Sequence, residues 1–301
     1  MTDTLRCSLL RALAFHDAWR HAPTLPEWVL SLEWSGPAPQ RSILMDGIHD
    51  LVQDGTVMFA GGRYGLSSSA PSLLSVQREN EGWQPLKWRV VKRVAAWLSC
   101  LQSVRFIAVC NTMALGHASD GSDLDFFVVT SQGKLMTTRG LGVLPFHVLG
   151  RRPGEGHDRD AVCLSYFVSE DGLDLSSHQL QPDDPYFRYW FLSLLPIYDD
   201  GMLSNLWEAN RFITRRYPFA HPWIPSPALS VNRPRFRLPV LKSLERVVTD
   251  YQRARFPDAI RTQMNLDTRV MVTSRVLKFH VDDGREGYRQ TFYDTCRRLG
   301  I

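Results

Sequence analysis

Asn111-Thr-Met-Ala-Leu-Gly-His-Ala-Ser-Asp-Gly-Ser-Asp-Leu-Asp-Phe-Phe-Val-Val129 is the stretch that decides the fold. A polar loop runs into an apolar β segment, and Asp123 and Asp125 stand two residues apart at its start. Strand side chains alternate faces, so these two carboxylates point the same way. The run that follows them is too apolar for a sheet edge, which places the strand inside a sheet. Two acids on one face at a strand mouth repel each other unless a cation neutralises them. Mg²⁺ is held in this manner by one or two carboxylates together with substrate phosphates. Asp-x-Asp is also common as a solvated turn or strand cap, so the surroundings must decide.

Upstream lies Val104-Arg-Phe-Ile-Ala-Val-Cys110, whose β-branched and apolar residues predict a buried strand. A turn and a short helical piece from Met113 to Gly116 follow, then the loop with Gly121 and the acidic strand. In this order the segment resembles the core of the polymerase-beta-like nucleotidyltransferase superfamily, with Ser122-Asp123-Leu124-Asp125 as the most specific match. The resemblance implies an α+β fold, a small mixed sheet with helices, that moves a nucleoside monophosphate from a triphosphate to an acceptor. It implies Mg²⁺ (or Mn²⁺) at Asp123 and Asp125, which are then both the catalytic and the metal-holding residues.

Two departures bear on activity. The superfamily has Gly-Ser where the first strand turns into the helix, and this chain has Asn111-Thr112. Threonine keeps the hydroxyl, and asparagine tolerates the left-handed backbone region better than most residues. Asn111, Thr112 and Ser122 are therefore the expected nucleotide-binding positions, joined by Arg139, which can clamp a phosphate bidentately or pair with the acids. The superfamily also carries a third carboxylate on a later strand. Ala161-Val-Cys-Leu-Ser-Tyr-Phe-Val168 is the next expected strand and holds no acid. Asp160 at its entrance can complete the metal set if the strand starts early; otherwise it is a solvated strand end, as Glu170 and Asp171 are at the exit. The alternative function is accordingly a nucleotidyltransferase-fold protein that has lost turnover and acts as a binding or regulatory module. Neither the base nor the acceptor is written in the sequence.

The 301 residues are 44% hydrophobic and 22% charged, with a net charge of +4 and a pI near 8.9. Such values suit a soluble globular chain of two or three domains, and they permit phosphate contact without demanding it. Five scattered cysteines fit no zinc spacing and suit a reducing compartment. Cys110 and Cys163 fall in apolar strand runs and are expected as buried hydrophobes. No signal peptide or membrane span is visible, so the expected location is cytoplasmic.

Residues 1–67 predict three helices and a hairpin. Leu5, Leu9, Leu10, Leu13 and Trp19 form one helical stripe; Thr24 caps a second helix ahead of Pro26 and Glu27; a third runs from Arg41 to Gln53. Gly61-Gly62 between short apolar runs is the hairpin turn. The order resembles a winged helix. The third helix balances Arg41 against Asp46 and Asp50, so specific DNA binding is not expected.

A joint is expected at Ser67 to Pro71, and the core domain over 68–175. Its leading helix, about 85–101, buries Trp88, Val91, Ala95 and Leu98 and turns Lys87, Arg89, Lys92 and Arg93 outward. An apolar helix after Arg139 reaches Leu149, and 150–157 reads as a polar loop. Residues 176–301 read as mainly helical and aromatic, with faces ending at Pro196 and Pro218, a proline-rich loop to Pro239, a helix over 241–256, a strand over 268–273 and a last helix over 285–299. The whole order also resembles a group of uncharacterised bacterial nucleotidyltransferase-domain proteins with a winged-helix-like N-terminus. His280 offers a base or ligand, though a single histidine beside a turn is more often structural, and Ser165 completes no nucleophile–base pattern by spacing.

Overall fold

The computed structural model describes residues 1–150 and 159–301; the loop expected over 150–157 lies, from 151 on, outside the described residues. The N-terminal stretch folds as α1 (Asp3–Ala18), α2 (Leu25–Leu30), α3 (Arg41–Gln53) and a hairpin of β1 (Val57–Ala60) and β2 (Arg63–Leu66). The expected stripe is its core: Leu5, Leu9, Leu13, Trp28, Leu44, Ile48 and Leu51 are buried together. Thr24 starts α2, and its backbone N–H donates to the Glu27 carboxylate at 2.6 Å, satisfying a donor that the helix cannot. Gly61 and Gly62 both adopt positive φ, as the tight turn requires.

Of the expected joint, residues 67–69 form a turn and Ala70 and Pro71 begin a helix. Pro71 sits in the first turn of α4 (Ala70–Glu81), where its missing N–H costs nothing. α5 (Gln84–Cys100) buries Val91, Ala95 and Leu98 as expected; Trp88 is only half-buried, Val94 joins the stripe, and Lys87 is buried with them instead of facing outward.

The centre is a six-stranded mixed sheet. Its strands are β3 (Val104–Val109), β4 (Leu124–Thr130), β5 (Val162–Ser169), β6 (Leu195–Asp199), β7 (Val270–Val272) and β8 (Val276–Phe279), ordered β6-β3-β4-β5-β8-β7. Among the described strands of this sheet, only β4 and β5 run parallel. A parallel pair needs a crossover, and α7 (Leu135–Val148) lies in that connection. β4 is internal, as its apolar run requires. The protein is thus of the mixed α+β class, with the short α6 (Asn111–Ala114) between β3 and β4. The remaining helices are α8 (Pro185–Leu192), α9 (Leu203–Ala209), α10 (Arg211–Thr214), α11 (Glu245–Ala254), α12 (Asp258–Gln263) and α13 (Arg285–Leu299).

The C-terminal stretch is not only helical: β6, β7 and β8 complete the same sheet. Leu195 and Pro196, read as the end of a helical face, begin β6. That strand is the sheet edge, where a proline's missing donor is tolerated. Alternation along the strands feeds two cores. Phe106, Phe127 and Val129 pack with Phe187, Trp190 and Phe191 of α8 and Phe292 of α13. Ile107, Phe126 and Val128 pack on the other face with Val91, Val94 and Leu98 of α5 and Leu135 of α7. No described helix is long and apolar enough to cross a membrane.

Candidate active site

Asp125 alternates with Phe126 and shares its face with Phe127 and Val129, so it points toward α8 and α13. Asp123, two residues back, does the same. Both line a cleft of about 430 Å³ together with Asn111, Cys163, Ser165, Tyr186, His280, Asp283 and Tyr288. The convergence expected from the i, i+2 spacing is present: carboxylate oxygens of Asp123 and Asp125 and the Cys163 thiol lie within 4.8 Å of one another.

A bulge positions the third member. Between the pairs Asp125–Cys163 and Phe127–Tyr166, β5 advances three residues while β4 advances two. The extra residue lets Cys163 and Ser165 face the cleft while Tyr166 and Val168 still reach the core on that side. Bulges recur beside active sites because they re-aim side chains in this manner.

Asn111 is the hinge of the site. Its φ of +55° lies in the left-handed region, which asparagine reaches at less cost than most residues. Its Nδ2 donates to Asp125 Oδ2 at 2.8 Å, and its Oδ1 accepts from the Tyr186 hydroxyl at 3.2 Å. Burial raises the Asp125 carboxyl above its ordinary range, and the Asn111 hydrogen bond only partly offsets this. The same burial, reinforced by Asp125, pushes the Cys163 thiol well up, so it is a neutral S–H group.

The opposite wall belongs to the C-terminal stretch. His280 follows β8, and its ring Nε2 lies 3.2 Å from Ser165 Oγ, which in turn lies 3.2 Å from Cys163 Sγ. Burial first, then the Lys278 charge, lowers His280 to about 3, so its imidazole is neutral. Arg285 lines the cleft but is already engaged. Its guanidinium donates to Asp283, to Asp184 at 2.8 Å, to the His178 carbonyl and to Thr268. It anchors the α13 start and fixes Asp283 in the wall.

Four expected site residues stand elsewhere. Asp160 does not join the pair: its Oδ1 accepts from Lys87 Nζ at 2.9 Å, and Cys163 holds the third position instead. That explains the buried Lys87, whose ammonium also donates to the carbonyls of Asp120 and Ser122 and so clamps the loop leading to the acids. Ser122 knits that loop, its Oγ accepting from the Ser119 amide at 3.0 Å. Arg139 does not line the cleft. α7 turns it toward β8 and α11, where it donates to Gln252 at 2.7 Å and stacks 4.5 Å over the Phe279 ring. Thr112 opens onto a neighbouring recess with Trp19 and His117.

Spacing did not reveal Cys163, Ser165, Tyr186 and Tyr288 as cleft residues. Cys163 and Ser165 carried a weak signal, two polar breaks at i and i+2 in an apolar strand. A scan against protein-family models, a search of curated proteins and a search of solved structures each returned no match.

Proposed function

We propose that the chain is a metal-dependent nucleotidyltransferase that moves a nucleoside monophosphate from a triphosphate to an acceptor. The observation that carries this reading is the convergence of Asp123 and Asp125 on one cleft, beneath the turn at Asn111. The donor set fits a hard cation: two carboxylates approach each other, and one is held uncomfortably as an anion by burial. A protonated thiol adds little for Mg²⁺, which prefers oxygen, so the triphosphate's own oxygens would complete the shell. Bound there, Mg²⁺ or Mn²⁺ supplies charge neutralisation for the phosphates and for the attacking and leaving oxygens.

The chain's residues do the positioning. Asp123 and Asp125 would hold the cation. Asn111 fixes the Asp125 carboxylate and the Tyr186 ring together. The acceptor oxygen bonds to the α-phosphorus, the bond to pyrophosphate breaks, and the acceptor's proton leaves to solvent or a cleft base. Catalysis of this kind is mostly orientation and electrostatics. Cys163 at the place where an active site would hold a third carboxylate favours a second reading, a binding module without turnover.

A thermal-shift panel of the four common triphosphates, each with Mg²⁺, Mn²⁺ or chelator, tests both readings. Metal-dependent stabilisation with pyrophosphate release supports the enzyme, and stabilisation without release supports the binding module. No stabilisation by any pair rejects both.

A further inference from the structure

α11 docks on the body through Val248, which packs against the sheet core beside Gly140 of α7, and through polar contacts. Its polar edge faces the body: Glu245 accepts from the Met136 and Thr137 amides at 2.7 and 2.9 Å, and Gln252 donates to the Met136 carbonyl at 2.8 Å. Those contacts satisfy the first-turn amides of α7. The apolar face of α11, carrying Leu244, Val247 and Tyr251, is left in solvent, with Val247 66% and Tyr251 57% exposed, and none of its residues is buried. Phe236, 73% exposed, lies on the approach to α11. A monomer seldom leaves such a group of large apolar side chains uncovered without a use for it.

Charge says what covers it. Residues 233–255 hold seven of the chain's cations and only two acids, Glu245 and Asp250, in a chain whose whole net charge is +4. Arg235, Lys242, Arg246, Arg253 and Arg255 are in no ion pair among the described residues, whereas Arg233 and Arg237 pair with Asp200. Arg255 stacks 3.8 Å over the Tyr251 ring, laying its stem along the apolar face. A second copy would bring like charges together. Nucleic acid would match the cations and leave Leu244 and Val247 wet.

We propose that α11 and its basic approach form a docking surface for an anionic lipid bilayer, with Leu244, Val247 and Tyr251 entering the headgroup boundary and the arginines meeting lipid phosphates. An amphipathic helix with a basic polar side lies in the interface in this manner. The proposal is independent of the cleft.

Flotation of the full chain with phosphatidylcholine vesicles, with and without phosphatidylglycerol, tests it. Binding is expected only to the anionic vesicles, and it should weaken as salt rises from about 0.1 to 0.5 M. Arg246→Gln should lower the partition about fivefold, the equivalent of roughly 1 kcal/mol per cation, and Val247→Ser with Tyr251→Ser should remove it at an unchanged melting temperature. Equal binding to neutral vesicles, or anionic binding untouched by both variants, overturns the proposal. So does self-association abolished by the double variant, or tighter capture of duplex DNA or an acidic polypeptide at the same residues.

Discussion

Asp125→Asn should make the ligand-free protein more stable, and the reason lies in the floor of the cleft. Asp125 carries its charge where burial opposes it, so its carboxyl titrates above the usual range. The folded pKa of this acid is raised above the unfolded one. Its charge therefore costs stability at neutral pH, and that cost disappears as the pH falls through the folded pKa. Each unit of displacement is worth about 1.4 kcal/mol, and for a chain of this length each kcal/mol moves the melting temperature by roughly 2 °C. The asparagine keeps an oxygen to accept from Asn111 Nδ2, so it removes the charge without losing that hydrogen bond, and the melting temperature should rise. Asp125→Ala should do the opposite. It leaves the Asn111 amide without an acceptor beside the cleft, a loss of about 1–3 kcal/mol. Melting curves in chelator at pH 7.5 and 5 provide the assay: the asparagine variant should melt above wild type at pH 7.5, with the gap narrowing at pH 5. With Mg²⁺ and a triphosphate at 100 times its Kd, wild type should gain about 2.7 kcal/mol and the variant far less. An asparagine variant that melts well below wild type in chelator would mean that Asp125 is a structural acceptor, and the site would have to be abandoned.

Acid should unfold the protein early. Burial lowers His117 and His280 from 6.5 to about 3, His178 to about 4, and His16 well below its usual value. Their folded pKa values lie below the unfolded one, so this contribution is complete above pH 6.5 and is lost as the pH falls, by up to about 1.4 kcal/mol per pH unit for each group; flat urea midpoints between pH 7.5 and 5 would contradict it. Lys278 is buried against the Thr268 carbonyl and lowered to about 7 by burial and by Arg285. Lys278→Met should therefore raise the urea midpoint at pH 6, with the advantage shrinking as wild-type Lys278 loses its proton between pH 7 and 10; an advantage independent of pH would refute this. Asn111→Ala should cost about 1 kcal/mol more than Asn111→Gly, because both lose the same two hydrogen bonds and only alanine strains the left-handed backbone; equal midpoints would show that φ at 111 relaxes.

Local signals carried much of the architecture. The stripe of Leu5, Leu9 and Leu13, Thr24 ahead of Pro26 and Glu27, and Gly61-Gly62 are each written within a few residues, and each produced its element. The i, i+2 spacing of Asp123 and Asp125 fixed a shared direction, because strand periodicity is a property of the backbone alone. Asn111 advertised its left-handed turn through the chemistry of its own side chain. What lay beyond the sequence was everything set by partners far away in the chain. Asp160 was separated from the acid pair by Lys87, 73 positions upstream. A bulge in β5, which exists only against β4, chose Cys163 as the third member of the cluster. Arg139 was drawn away by Gln252 and Phe279, while His280 was brought in to Ser165 across 115 positions. Which face a residue occupies is decided locally; which residue meets it there is decided by the order in which strands join the sheet, and no spacing along the chain records that order.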